Sequence, residues 1–167
     1  MSDTATNSGL TIEQKATNWE TMQHIHKVAE FIHIMVYRLL KRADLHDLSK
    51  LEEPEVQAFT EFTPSLKGLT YGSPEYYAQL KSPGFLAALD HHYANNRHHP
   101  QHMKRGINDM NLVDLIEMFC DWNASGKRHA DGNLRKSIEK NATRFDMSPQ
   151  LVNIFENSVG LFEPEER

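Results

Sequence analysis

Residues 111–124 read NLVDLIEMFCDWNA. Asn111 is a strong helix N-cap, and Asp114 stands three positions on, where its carboxylate can answer the cap. Behind them, Leu112, Val113, Leu115, Ile116, Met118, Phe119, Cys120 and Trp122 leave almost no polar face. The exception is a stripe of Asp114, Glu117 and Asp121, which share one side at about 100° per residue. Such a stripe marks either the solvent side of the helix or a paired or metal-bound inner side, because burying carboxylates otherwise costs too much. The cap and the helix dipole explain Asp114. Asp121, in the helix interior, has no such explanation and is the better ligand candidate.

Working outward, every other periodic segment is also helical. From Ile12 to Arg42, Val28, Phe31, Ile32, Met35 and Leu39 fall on one face, which predicts a buried stripe. His24 lies within that stripe, where it is either a hydrogen-bonded core histidine or a ligand. His26 and His33 fall on the polar face and read as solvated. RADLHDLSK, residues 42–50, breaks the pattern, and a second helix is expected over Glu53–Phe62. Residues 63–84 are rich in Pro, Gly and Tyr and read as a loop with one short helix near Pro74–Leu80. Tyr71, Tyr76 and Tyr77 of that loop either cover a substrate or pack. Further helices are expected over Phe85–Tyr93 and from Asn111 to about Ala124, and, after a turn at SGKRHADGN, another to about Arg144. Ser148-Pro149 opens a last one by the cap-then-proline signal. Its Leu151, Ile154, Phe155, Val159 and Leu161 close the core or form a dimer face. No segment alternates as a strand would. The prediction is an all-α fold of six or seven helices, with residues 1–9 a disordered polar tail and residues 10–162 a single domain.

The composition narrows the function. The chain has 167 residues, 39% apolar and 25% charged, the balance of one globular domain. Its net charge of −5 argues against a nucleic-acid coat. No apolar run approaches the length of a membrane helix, and no secretory start is visible. The single Cys120 cannot form an internal disulfide, so a reducing, cytoplasmic setting is expected.

Histidine is the unusual residue. There are ten, and five of them, His91, His92, His98, His99 and His102, lie in DHHYANNRHHPQH, residues 90–102. Histidine is the commonest metal ligand. Asn95, Asn96 and Arg97 in the same segment can orient an anion. The other pair of interest is His46-Asp47, which can hold one cation through nitrogen and oxygen if the backbone turns there. Lys50 stands about a turn beyond, placed to hold an anion beside that cation.

In order, His24, His46-Asp47 and Asp121 form an H…HD…D pattern that resembles the HD-domain superfamily of metal-dependent phosphohydrolases. HIHKVA resembles that family's first-helix histidine segment, HDLSK its HDxGK, and FCDWNA its last-aspartate segment. The resemblance implies an all-α HD-like bundle with His24, His46, Asp47 and Asp121 as ligands of one metal. His91-His92 followed by His98-His99-Pro100 is similar to branches that hold a second metal, the HD-GYP phosphodiesterases and the mixed-valent diiron oxygenases. It implies His91, His92, His98 and His99 as further ligands. Ser49 replaces the family's glycine and no GYP follows, which argues against a cyclic dinucleotide substrate. Residues 20–160 look closest to a small phage and bacterial family carrying HDxSK and HHxxxNRHHP-like segments.

The resemblance implies hydrolysis of a small phosphorylated substrate, a nucleotide or similar ester, with one or two divalent ions drawn from Fe, Mn, Ni, Co or Zn. Asp47, Lys50 and Arg97 are the expected catalytic residues, Asp47 bridging and the two cations neutralising phosphate. Two alternatives stay open. One is diiron oxygenase chemistry on the same ligands, and the other is a non-catalytic protein that sequesters a nucleotide. A homo-oligomer is compatible with either.

Overall fold

The structure is a computed structural model that describes residues 9–66, 69, 73–127 and 132–163, without the side chains of residues 66, 76 and 77. Most of the expected N-terminal tail, Tyr71, and the side chains of Tyr76 and Tyr77 lie outside what is described.

The fold is all-α. Among the described residues there are seven α-helices and no strand: α1 Ile12–Leu45, α2 Glu55–Leu66, α3 Pro74–Leu80, α4 Pro83–Asn95, α5 Leu112–Gly126, α6 Leu134–Arg144 and α7 Pro149–Ser158. Short 3₁₀ turns fill Leu48–Leu51, Pro100–His102, Gly106–Asp109 and Val159–Phe162. No helix of the described residues is long and apolar enough to cross a membrane. The second helix starts two residues later than the sequence predicts and runs past Pro64, into the segment expected to be loop.

The chain groups into two compact units, residues 1–41 and 42–167. The first is the bulk of α1. The stripe expected to be buried on it is not. Val28, Phe31 and Ile32 are exposed, Met35 and Leu39 half-buried, and no residue of α1 is buried. A single helix has no second element in its own unit on which to bury a face, so periodicity alone cannot make a core there. His24 is exposed together with His26 and His33.

The second unit carries the core. α5 packs on α6, and α6 on α7. Met118, Phe119, Trp122, Leu134, Ile138, Met147 and Phe155 form one buried cluster. Phe119 stacks on Phe155 with ring centroids 4.9 Å apart. Leu151 and Val159 pack against this cluster, while Ile154 and Leu161 remain exposed. A second contact joins α2 to α4, where Phe85 meets Phe59 and Phe62.

The helix α5 is oriented against the simplest reading of its sequence. Asp114 and Glu117 are buried, Asp121 is half-buried, and the apolar Leu112 and Ile116 face outward with Cys120. Its acidic stripe is therefore an inner face. The cap is as expected: Asn111 Oδ1 accepts from Val113 and Asp114 backbone N–H, and Asp114 Oδ2 accepts from Asn111 N–H.

Candidate metal centre

The chain turns sharply after α1. Asp47 has φ 58° and ψ 13°, a left-handed conformation that few non-glycine residues adopt and that asparagine and aspartate tolerate best. Adopted next to His46, this turn brings both side chains to bear on one place. Strained backbone of this kind is often found at functional sites.

Asp47 lies at the middle of a cluster drawn from four parts of the second unit. Its Oδ1 is 3.3 Å from His92 Nε2 and 3.5 Å from His98 Nε2. Its Oδ2 is 3.6 Å from His46 Nε2 and 2.6 Å from Lys50 Nζ. His92 Nε2 and His99 Nε2 approach to 2.8 Å, and His46 Nε2 lies 3.8 Å from Asp121 Oδ1. Among the described residues, three groups could hold a metal ion: Asp47, His92, His98 and His99; His46, Asp47 and Asp121; and His46, His98 and Glu117. The first two share Asp47, one oxygen to each. Asp47 Oδ1 and His98 Nε2 are buried and make no hydrogen bond among the described residues. A buried carboxylate oxygen surrounded by imidazole nitrogens is costly unless a cation or an N–H donor satisfies it.

Helix geometry and short loops supply the ligands. His92 sits on α4, one turn before its end. Asn96 closes that helix, its backbone N–H and Nδ2 both donating to the His92 carbonyl. His98 and His99 follow at once and are pinned by buried Pro100 and by the His99 N–H to Asn96 carbonyl bond. His102 bonds the Tyr93 carbonyl through Nδ1, a structural role. The imidazoles crowd together at a tilt, with centroids 4.0 Å apart for His98–His99 and 4.4 Å for His46–His98.

Two buried glutamates back these histidines. Glu117 Oε1 lies 3.0 Å from His46 Nδ1 and 3.2 Å from His98 Nδ1. Glu55 lies 2.8 Å from His92 Nδ1 and 2.7 Å from His91 Nδ1. Behind Glu117 stands Arg42, which ion-pairs with it and also with buried Asp114 at 2.8 Å. Arg97 grips Asp114 from the other side, Nε to Oδ1 at 3.2 Å and Nη2 to Oδ2 at 2.9 Å.

The electrostatics follow from this packing. Burial among other imidazoles pushes His99 down to about 2, so it is neutral, as a ligand must be. Burial also lowers His92, with the charge of Lys50 adding to the effect. His46 goes the other way, raised chiefly by its bond to Glu117. Burial works to raise Glu117, but bonds from His46 and His98 and the Arg42 charge outweigh it and hold the acid at about 2. Burial likewise opposes ionisation of Asp47, and the Lys50 ammonium overcomes it to keep the carboxyl below its ordinary value.

Of the residues that the sequence nominates, His46, Asp47, His92, His98, His99 and Asp121 come together here. Lys50 adjoins them, its ammonium 5.2 Å from the centre of the Phe59 ring. His24 lies in the other unit and in none of the three groups. His91 points to Glu55 and is also outside them. Arg97 has two of its nitrogens on Asp114. The sequence reading did not single out Glu55. It noted Glu117 only as part of the acidic stripe, and the stripe itself was the available signal.

The chain belongs to a family described as a family of unknown function, DUF5662, which matches residues 13–161. No curated protein and no solved structure gives a significant match.

Proposed function

We propose that this protein is a metal-dependent hydrolase of a small phosphate ester, in which Asp47 would contribute to two cation positions. One observation carries the reading: the two oxygens of Asp47 face two different donor groups, and the buried one makes no hydrogen bond. His92, His98 and His99 would hold one cation with Asp47, and His46 and Asp121 the other. Divalent ions paired in this way polarise a phosphoryl oxygen and supply hydroxide near neutral pH. Nitrogen and oxygen donors of this kind suit Mn, Fe, Co, Ni or Zn.

The chain's own groups do the rest. Neutral His92 and His99 keep their lone pairs for binding. Lys50, part-exposed beside Asp47, offers the ammonium best placed to neutralise a phosphate oxygen. Arg97 is assigned to bracing Asp114. Two adjacent donor groups with an ammonium beside them favour hydrolysis over simple metal storage, because paired cations can stabilise the attacking and leaving oxygens of an in-line displacement.

The test is a panel of phosphate esters, bis-p-nitrophenyl phosphate and nucleoside mono-, di- and triphosphates, offered to protein reconstituted separately with each of these metals. Metal-dependent release of phosphate or nitrophenol, lost in Asp47→Asn, is the expected result. A metal-loaded protein inert to the whole panel would overturn the hydrolase assignment.

A further inference from the structure

We propose that Glu55 is a positioning residue of this centre, holding His92 in the form that carries its proton on Nδ1 and presents a bare Nε2 to a cation. The inference rests on the metal reading above and deepens it.

Glu55 is the first residue of α2 and is fully buried. Its carboxylate is inserted between two consecutive histidines of α4. Oε1 meets His91 Nδ1 at 2.7 Å and Oε2 meets His92 Nδ1 at 2.8 Å. Ser49 Oγ donates to Oε2 at 3.0 Å, and Asn96 Nδ2 donates to that hydroxyl at 2.8 Å. An ionised carboxylate can only accept hydrogen bonds. Each imidazole must therefore turn an N–H toward it, and a neutral imidazole has only one. The proton of His92 is then fixed on Nδ1, and Nε2 is left as a lone pair, 3.3 Å from Asp47 Oδ1 and 2.8 Å from His99 Nε2.

A helix-start glutamate has an ordinary role, since an acid there offsets the helix dipole. That role needs neither complete burial nor two imidazole partners, and an exposed acid would serve it as well. Burying this charge is worth its cost where a cation sits on the far side of the ring, because the carboxylate raises the basicity of the imidazole and fixes its aim. Glu117 repeats the arrangement from α5, with His46 and His98 as its two rings. The recurrence on a second helix is what dipole compensation at α2 does not explain.

The experiment has two parts. Long-range ¹H–¹⁵N NMR on the metal-free, full-length chain reads the tautomer of His92 directly. Cobalt affinity by chelator competition is then compared between the wild type and Glu55→Gln, with the melting temperature of each metal-free protein as the control. The expected results are a His92 protonated on Nδ1 and, in the variant, a loss of cobalt affinity of about 10–100-fold with unchanged melting. A wild-type His92 protonated on Nε2 would overturn the inference, as would a variant that binds cobalt as tightly as the wild type. Should Glu55→Gln fail to fold, the wild-type NMR result decides alone. A wild-type chain that takes up no cobalt overturns the metal reading, and the tautomer measurement on that same chain still decides the role of Glu55.

Discussion

His46 donates its Nδ1–H to Glu117, 71 residues further along the chain, at a distance of 3.0 Å. This bond fixes the direction in which His46 offers its other nitrogen, toward Asp47 and Asp121. It also divides the two proposed cation positions by their response to protons. The acceptor raises the affinity of His46 for a second proton, whereas burial lowers that of His92 and His99.

A metal competes with a proton for each imidazole, so the sign follows. The group with the raised value is protonated first as pH falls, beginning above its ordinary 6.5. The lowered groups stay neutral well below it. The position built on His46, Asp47 and Asp121 is expected to weaken first as pH falls from above 6.5, with the His92–His99 position still filled. Calorimetric metal titrations over that fall in pH, with Asp121→Asn to identify the position lost, check the order.

Lys50 lies 2.6 Å from Asp47 Oδ2, the oxygen that also faces His46. Its ammonium stands where a cation would compete for the same lone pairs. Replacing it by Met is expected to tighten metal binding at the His46 position roughly two- to fivefold, the equivalent of the ~0.5–1 kcal/mol such a part-exposed pair contributes. The same variant is expected to hydrolyse phosphate esters more slowly. Metal affinity and turnover measured side by side separate the two effects. Weaker metal binding in Lys50→Met would contradict this account of the lysine.

Asp114 is fully buried, gripped by Arg42 and Arg97, and closes the capping box of α5. Removing it leaves two guanidinium groups short of a partner and the Asn111 backbone N–H without its acceptor, while Asn111 still caps the helix. Asp114→Ala is expected to destabilise the metal-free protein by about 3–5 kcal/mol in urea unfolding. Asn111→Ala, which removes only the cap side chain, is expected to cost about 1 kcal/mol. The linked Glu117 titrates at about 2 against an ordinary 4.5. A depressed acid stabilises above its unfolded value, so this contribution is complete above about pH 4.5 and lost as pH falls toward 2.

The helix starts were legible because capping is local: Asn111 with Asp114, and Ser148 before Pro149, need only neighbours in sequence. The HD turn was legible as a possibility, and the left-handed Asp47 is the backbone event it required. Which face of each helix turns inward was not legible. Periodicity places Asp114, Glu117 and Asp121 on one stripe without saying that Arg42 and His46 wait opposite it. It likewise gave α1 an apolar face with nothing in its own unit to cover it. Glu55 was hidden for a related reason. In LEEPEV it reads as one more solvated acid, and only the return of α4 along α2, some 37 residues later, places His92 against it.

A shared role for Asp47 at two cation positions is checked by counting bound ions. Untagged protein would be reconstituted with Mn²⁺, Co²⁺ or Zn²⁺, desalted and analysed by elemental mass spectrometry beside Asp121→Asn and Asp47→Ala. A carboxylate bridging two positions predicts about two ions per chain in the wild type, about one in Asp121→Asn and almost none in Asp47→Ala, with helical circular dichroism unchanged. A wild type that takes up no ion, or an Asp47→Ala protein that keeps its full complement, would contradict it.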